Sequence, residues 1–174
     1  GVIVGDRTVL REFVTINAGT HDGEITHVGS NCLLMAYCHI AHACHIGNGV
    51  IIANGTQLAG DVIVEDFATI EGLCGVVQFC RIGTMAFLAG YTKANKDVPP
   101  FMIADGLDIE VRSFNKIGME RRGLSEEIRA TIKEAYRILY RQGLSLPEAL
   151  EKIEKKYPSS PEVKHLLNFI RSSK

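Results

Sequence analysis

The chain has 174 residues, 46% of them hydrophobic and only 7% aromatic, with no Trp. Nineteen Lys and Arg stand against 20 Asp and Glu, for a net charge of −1. That balance excludes a strongly basic nucleic-acid binder, the apolar content excludes a disordered chain, and no apolar run reaches the roughly 18 residues of a membrane-spanning helix. The opening Gly1-Val2-Ile3-Val4-Gly5-Asp6 has no initiator Met, which suggests a trimmed chain or a fragment of a longer one. It also lacks the basic start and long apolar stretch of a signal peptide. Five Cys, an odd number with no CxxC pair, read as the reduced thiols of a cytosolic protein.

From Val4 onward the chain follows a six-residue period. Positions Val4, Leu10, Ile16, Asp22, Val28, Leu34, Ile40 and on to Leu88 are aliphatic with the single exception of Asp22. The fifth position of each hexad is small or β-branched, and all five cysteines (Cys32, Cys38, Cys44, Cys74, Cys80) occupy it. The second is often Gly or Ala. Neither a helix period nor strand alternation gives this pattern. It predicts a hexapeptide solenoid, in which each hexad forms a short strand and a corner, and three hexads close a triangular coil. The first and fifth positions would point inward, with the second at the tight corner. The hexads amount to about five coils of a parallel β-helix, of the left-handed kind that hexapeptide solenoids resemble. The polar stretch Thr20–Thr26 around Asp22 is expected to loop out.

The repeat ends at Lys93-Ala94-Asn95-Lys96-Asp97-Val98-Pro99-Pro100, where paired prolines cannot continue a ladder. Two domains follow from this: a β-helix over residues 1–98, then a connecting segment and helical domain over residues 99–174. Ser125 can cap a helix running to about Gln142, with Ile128, Ile132, Ala135 and Leu139 on one face and Gly143 after it. Ser145 with Pro147 opens a second helix ending near Pro158. Ser160 with Pro161 opens a third ending near Arg171. A narrow prism buries little area per chain, which favours association and a site in a groove between subunits.

Three His fall within Cys38-His39-Ile40-Ala41-His42-Ala43-Cys44-His45. A six-residue step moves a third of the way round the prism, so His39 and His45 lie on different faces and cannot share a metal within one chain. A metal shared between subunits, as in the γ-class carbonic anhydrases, is the competing reading. His21 and His45 read as outward surface residues. His42 ends a short strand on a rigid surface, where an imidazole can act as a general base near neutral pH.

The run Asn31-Cys32-Leu33-Leu34-Met35-Ala36-Tyr37-Cys38-His39-Ile40-Ala41-His42 resembles the signature of the UDP-N-acetylglucosamine O-acyltransferases that begin lipid A synthesis. So do Arg11-Glu12-Phe13-Val14-Thr15-Ile16, Leu58-Ala59-Gly60, Gln78-Phe79-Cys80, Asp97-Val98-Pro99-Pro100 and Arg121-Arg122-Gly123. The resemblance covers nearly the whole chain. It implies a homotrimer that transfers an acyl chain from acyl carrier protein to the 3-hydroxyl of UDP-N-acetylglucosamine, with no metal, no other cofactor and no covalent intermediate. By the same resemblance His42 is the general base and the Gly60 N–H the oxyanion donor. His39 and Gln78 would hold the sugar nucleotide, and Asn115, Arg121 and Arg122 its uridine and phosphates. Paired guanidinium groups suit a diphosphate; without the resemblance, Arg121 and Arg122 read as solvated residues at a helix approach. Gly90 matches the position that limits acyl length. The repeat adds an independent expectation: Gly60 and Gln78 follow His42 at steps of eighteen residues, so the three should stack in one column.

Several residues depart from the family. Ala43 replaces the Asp that follows the base, Asp61 replaces a His after Leu-Ala-Gly, Val77 replaces a His before Gln-Phe-Cys, and Ile117 replaces a Glu. The family also has upstream coils with an acceptor loop carrying an Asp and a Lys. Two alternatives therefore stand beside acyl transfer to UDP-N-acetylglucosamine. One is a relative acting on a different nucleotide sugar, and the other is a non-catalytic module that binds nucleotide sugar or acyl carrier protein.

Overall fold

The computed structural model describes residues 1–173. Fifteen two- or three-residue strands wind into a left-handed parallel β-helix with three flat faces. The first sheet stacks Val2–Val4, Thr26–Val28, His45–Ile46, Ile63–Val64 and Arg81–Ile82. The second stacks Val9–Leu10, Leu33–Leu34, Ile51–Ile52, Thr69–Ile70 and Phe87–Leu88. The third stacks Thr15–Ile16, His39–Ile40, Gln57–Leu58, Gly75–Val76 and Lys93–Ala94. Past the looped-out segment the register within these fifteen strands runs at eighteen residues, as in Leu34↔Ile52 and Ile40↔Leu58. Val4 pairs with Val28 rather than Asp22, because the polar segment around Asp22 is excluded from the coil; the stretch expected to loop out ends one residue too late, since Thr26 already belongs to the first sheet.

The periodic residues build the core. Val28, Leu34, Ile40, Ile46, Ile52, Val64, Ile70, Ile82 and Leu88 are fully buried, and so are the fifth-position residues Thr26, Cys44, Thr56, Val62 and Ala68. Each such aliphatic contributes about 1.5–3 kcal/mol by leaving water. Fifth-position hydroxyls and thiols satisfy themselves on the next coil, as in Thr56 Oγ1 donating to Glu71 O at 2.8 Å.

The corners divide their work between two positions. The left-handed backbone falls on the fourth residue of the hexad: Tyr37, Ala43, Asp61, Phe67, Leu73, Phe79, Met85 and Tyr91 all have φ between 53 and 67°. Among these left-handed corners glycine appears at Gly49 and Gly55. The second-position glycines answer to close approach instead. A Cβ at Gly29 would strike the Gly47 backbone, and one at Gly83 would strike Pro100.

The double proline does not end the stacking. Met102–Asp105 continues the second sheet in parallel on Phe87–Leu88, then turns antiparallel into Glu110–Phe114. This hairpin, inside the segment read as a connection, carries the chain onto the helices. Four follow: α1 (Lys116–Arg121), α2 (Glu126–Arg141), α3 (Leu146–Lys156) and α4 (Pro161–Ser172). Helices α2 and α4 begin at the anticipated serines, with Ser125 Oγ accepting from Ile128 N and Ser160 Oγ from Val163 N. At α3 the Ser145 N–H and hydroxyl both donate to the Glu148 carboxylate, at 2.9 and 2.6 Å. The short α1 is an addition to the sequence expectation. The buried face of α2 centres on Ile132, Ala135, Tyr136 and Ile138, with Ile128 and Leu139 only partly buried at its margin.

Candidate active site

His42 sits at the corner where the third sheet turns into the first. Gly60 and Gln78 occupy the same corner of the next two coils, so the column expected from the eighteen-residue step forms. Within it the His42 imidazole lies against Gly60 so tightly that any Cβ there would overlap its Cε1 and Nε2. Glycine at 60 is thus dictated by the ring packed on it, and its φ is ordinary. Among the described residues the Gly60 N–H donates to no protein acceptor. A free backbone donor therefore lies beside an imidazole, the pair of groups that acyl transfer needs.

The His42 side chain is 32% exposed, but its Nδ1 is buried and has no hydrogen-bond partner. The exposed part of the ring is thus the remainder, which includes Nε2. Asp61 Oδ2 lies 4.0 Å from Nδ1. Gln78 Nε2 donates to that same oxygen at 3.0 Å. Asp61 also ties the coils together through its N–H, which donates to His42 O at 3.0 Å.

Beside this corner the third sheet floors an open, mainly apolar groove of about 530 Å³. Its lining includes His39, Leu58, Gly75, Val77, Gln78 and Lys93. His39 Nδ1 and Thr15 Oγ1 are 2.7 Å apart, which fixes the ring at the groove's edge. A Cβ on Gly75 would meet nothing within 4 Å, so this glycine leaves a notch in the floor that the fold does not require. Gly90 lies at the opposite border of the third sheet, at the corner leading in from the second. A Cβ there would make only ordinary contacts, 3.5 Å from Gly72 O and 3.9 Å from Glu71 Cβ.

Asn115, Arg121 and Arg122 are elsewhere. They line a separate cavity of about 550 Å³ on the second sheet, with Phe67, Phe87 and Ile117. Within one chain they do not meet His42. The buried Asn115 side chain is engaged twice inside the protein, accepting from Gly118 N as the cap of α1 and donating to Met85 O at 2.8 Å. Arg122 stacks over Phe67 at 4.5 Å and donates to Gly49 O, whereas Arg121 makes no ion pair among the described residues. His39 and His45 fall on the third and first sheets, on separate faces as the six-residue step requires. His45 is exposed and stacks on His27 at 4.8 Å, and His21 is exposed.

Three features are not expected from the sequence: the approach of Asp61 to His42 at the corner, and, in the groove, the notch at Gly75 and Lys93 at the edge. The first had a signal in the spacing, since Asp61 follows His42 by one coil and one residue.

A parallel β-helix built of hexads places the chain among the hexapeptide-repeat proteins, and one of its corners carries an imidazole beside a free N–H. Two family comparisons agree: residues 25–60 match the bacterial transferase hexapeptide family (six repeats), and residues 97–174 match UDP-N-acetylglucosamine O-acyltransferase, domain 2. The acyl-[acyl-carrier-protein]–UDP-N-acetylglucosamine O-acyltransferase of Gloeothece citriformis is 44% identical over 99% of this chain, which spans 62% of that relative. The enzyme of the same name from Myxococcus xanthus is also 44% identical, and 67% of it is covered. Among solved structures, the Francisella novicida UDP-N-acetylglucosamine acyltransferase superposes with a TM-score of 0.94 at 37% identity, with 64% of its chain covered. The Bacteroides fragilis one gives 0.86 at 36% identity, with 78% covered. The chain belongs to the UDP-N-acetylglucosamine O-acyltransferase family, and it spans roughly two thirds of the length of the relatives it matches.

Proposed function

We propose that the protein transfers an acyl chain from acyl carrier protein to the 3-hydroxyl of UDP-N-acetylglucosamine, the first step of lipid A synthesis. The observation that carries this is the packing of His42 on Gly60. His42 Nε2 takes the proton of the sugar hydroxyl, and the oxygen attacks the thioester carbonyl carbon. The Gly60 N–H stabilises the oxyanion, the C–S bond breaks, and the imidazolium returns its proton to the departing thiolate. The chemistry asks for no metal and no covalent enzyme intermediate.

The apolar groove on the third sheet, reaching from His42's corner toward Gly90, suits an acyl chain, and Gly90 leaves room at its far border. His39 and Gln78 flank the sugar. The diphosphate and uridine belong to Arg121, Arg122 and Asn115, which lie on another face of the same chain. We therefore infer a homotrimer in which a neighbouring copy presents these residues to His42. The β-helix, with the Met102–Asp105 strand that extends it past the expected boundary at residue 98, supplies the chemistry, and the segment beyond supplies the nucleotide and carrier contacts. Five buried, unpaired cysteines fit a cytoplasmic setting.

The test is transfer of a 3-hydroxyacyl group from acyl carrier protein to UDP-N-acetylglucosamine, with the product read by mass spectrometry. Product formed by the parent and absent with His42→Ala supports the assignment, and equal turnover by the two removes it. A second reading, transfer to an altered nucleotide sugar, is favoured by Asp61 and Val77 standing beside Gln78 at the acceptor end of the groove. Faster turnover of a 3-amino or other sugar variant than of UDP-N-acetylglucosamine would select it. No transfer to any sugar, but calorimetric binding of the nucleotide, would instead indicate a binding module.

A further inference from the structure

We propose that Asp61 is a positioning residue for His42, supplying from the next coil the carboxylate that the base lacks on its own. This rests on the acyl-transfer reading above and deepens it. A neutral imidazole is a base at Nε2 only in the tautomer that carries its proton on Nδ1, and that tautomer is chosen by what Nδ1 faces. Here Nδ1 is buried with no partner, and a buried unpaired N–H is costly. The Asp61 carboxylate is 4.0 Å away, about 1 Å beyond a hydrogen bond. Hydrogen bonds of this kind commonly tighten only when substrate is bound.

Three features make the contact a built one. Asp61 occupies the left-handed corner position, with φ 59°, and its N–H donates to His42 O, the bond that the fourth position makes throughout the coils, so the regular stacking itself holds Asp61 in register with His42. Gln78 Nε2, one coil further on, donates to the Asp61 oxygen that faces the imidazole and so orients the carboxylate. Ala43, at the equivalent corner position of His42's own coil, has no polar side chain to offer. The result is a relay along the column: Gln78 holds Asp61, Asp61 faces His42 Nδ1, and Nε2 is left for the substrate hydroxyl. When His42 takes that proton, the positive charge forms next to the carboxylate.

The experiment compares the full chain with Asp61→Asn and Asp61→Glu. Asn tolerates a positive φ better than most residues, so the first variant keeps the corner. The expected result is a fall in kcat of about tenfold or more for Asp61→Asn, with KM for the nucleotide sugar within about twofold and the melting temperature unchanged. Asp61→Glu should recover part of the rate. In ¹⁵N spectra of the imidazoles, with His42 assigned by the loss of its signal in His42→Gln, the parent should show the Nδ1–H tautomer and Asp61→Asn a shift toward Nε2–H. Unchanged kcat together with an unchanged tautomer overturns the proposal. A parent chain that transfers no acyl group would defeat the acyl-transfer reading instead, and the tautomer measurement would still decide whether Asp61 sets the state of His42.

Discussion

His165 Nε2 on α4 and Glu65 Oε2 on the β-helix lie 2.7 Å apart, although a hundred residues separate them in the chain. The same carboxylate oxygen accepts from Thr84 N at 2.7 Å and Thr84 Oγ1 at 2.8 Å. Burial alone would raise the Glu65 carboxyl, but hydrogen bonds from His165 and Thr84 outweigh it and hold it below its ordinary value. The bond to Glu65 holds the His165 imidazole above its own.

These shifts set a pH window for the attachment of the helical domain. A raised imidazole contributes fully below its ordinary value of 6.5 and loses that contribution as pH climbs through the raised value. A lowered carboxyl contributes above its ordinary 4.5 and loses that as pH falls through the lowered value. The melting-temperature difference between parent and Glu65→Gln should therefore be largest between those two values and shrink at pH 8 and at pH 3. A difference independent of pH would mean that the pair holds the domains without its charges.

Arg81 is the second fastening, at the other end of α4. Its guanidinium donates to Phe169 O, Ser172 Oγ and Ser173 Oγ at 3.0 Å each, pairs with Asp97 at 2.9 Å, and lies 4.2 Å over the Phe169 ring. It satisfies a helix C-terminal carbonyl and complements the dipole at once. Arg81→Ala should cost about 1.5–3 kcal/mol and open the C-terminal helix to limited proteolysis before the β-helix is cut. Lys at 81 should restore little, because it lacks the planar fork.

Gly60→Ala should behave as a catalytic lesion in an intact fold. The N–H survives, but the methyl group drives the His42 ring from its seat. A displacement of about 1 Å is enough to cost roughly 100-fold in kcat. Circular dichroism should match the parent. Turnover within a few-fold of the parent would show that the ring's position against Gly60 does not matter.

Gly90→Leu should fold normally, because the position has an ordinary φ and space for a side chain. In competition assays with acyl carrier proteins of different loading, it should shift preference toward shorter chains. An unchanged preference would remove Gly90 from the acyl groove.

The cysteines should be chemically silent. All five are buried, and burial pushes the Cys44 thiol up to about 11. Ellman's reagent should find them only in denaturant. Cys44→Val should be tolerated, whereas Cys44→Phe should cost about 1–3 kcal/mol by overpacking the prism.

The sequence by itself determined the β-helix, its face-to-face register, the inward place of every cysteine, the excluded loop around Asp22 and the serine-capped starts of three helices. These depend on chemistry repeated at a fixed step or confined to a few neighbouring residues, so a one-dimensional pattern carries them. It also placed His42, Gly60 and Gln78 in one column, because stacking turns a spacing of eighteen into adjacency. Only the tertiary structure decided which side chains bridge between those positions. The Asp61 carboxylate at His42 Nδ1, the engagement of Asn115 in capping α1, and the hairpin Met102–Phe114 all depend on side chains or strands meeting across coils. So does the grip of Glu65 and Arg81 on α4, since no local rule relates residue 65 to residue 165. The separation of Arg121 and Arg122 from His42 has the same origin. A triangular prism sends neighbouring segments to different faces, and residues on different faces of one chain can share a substrate only when another copy brings them together.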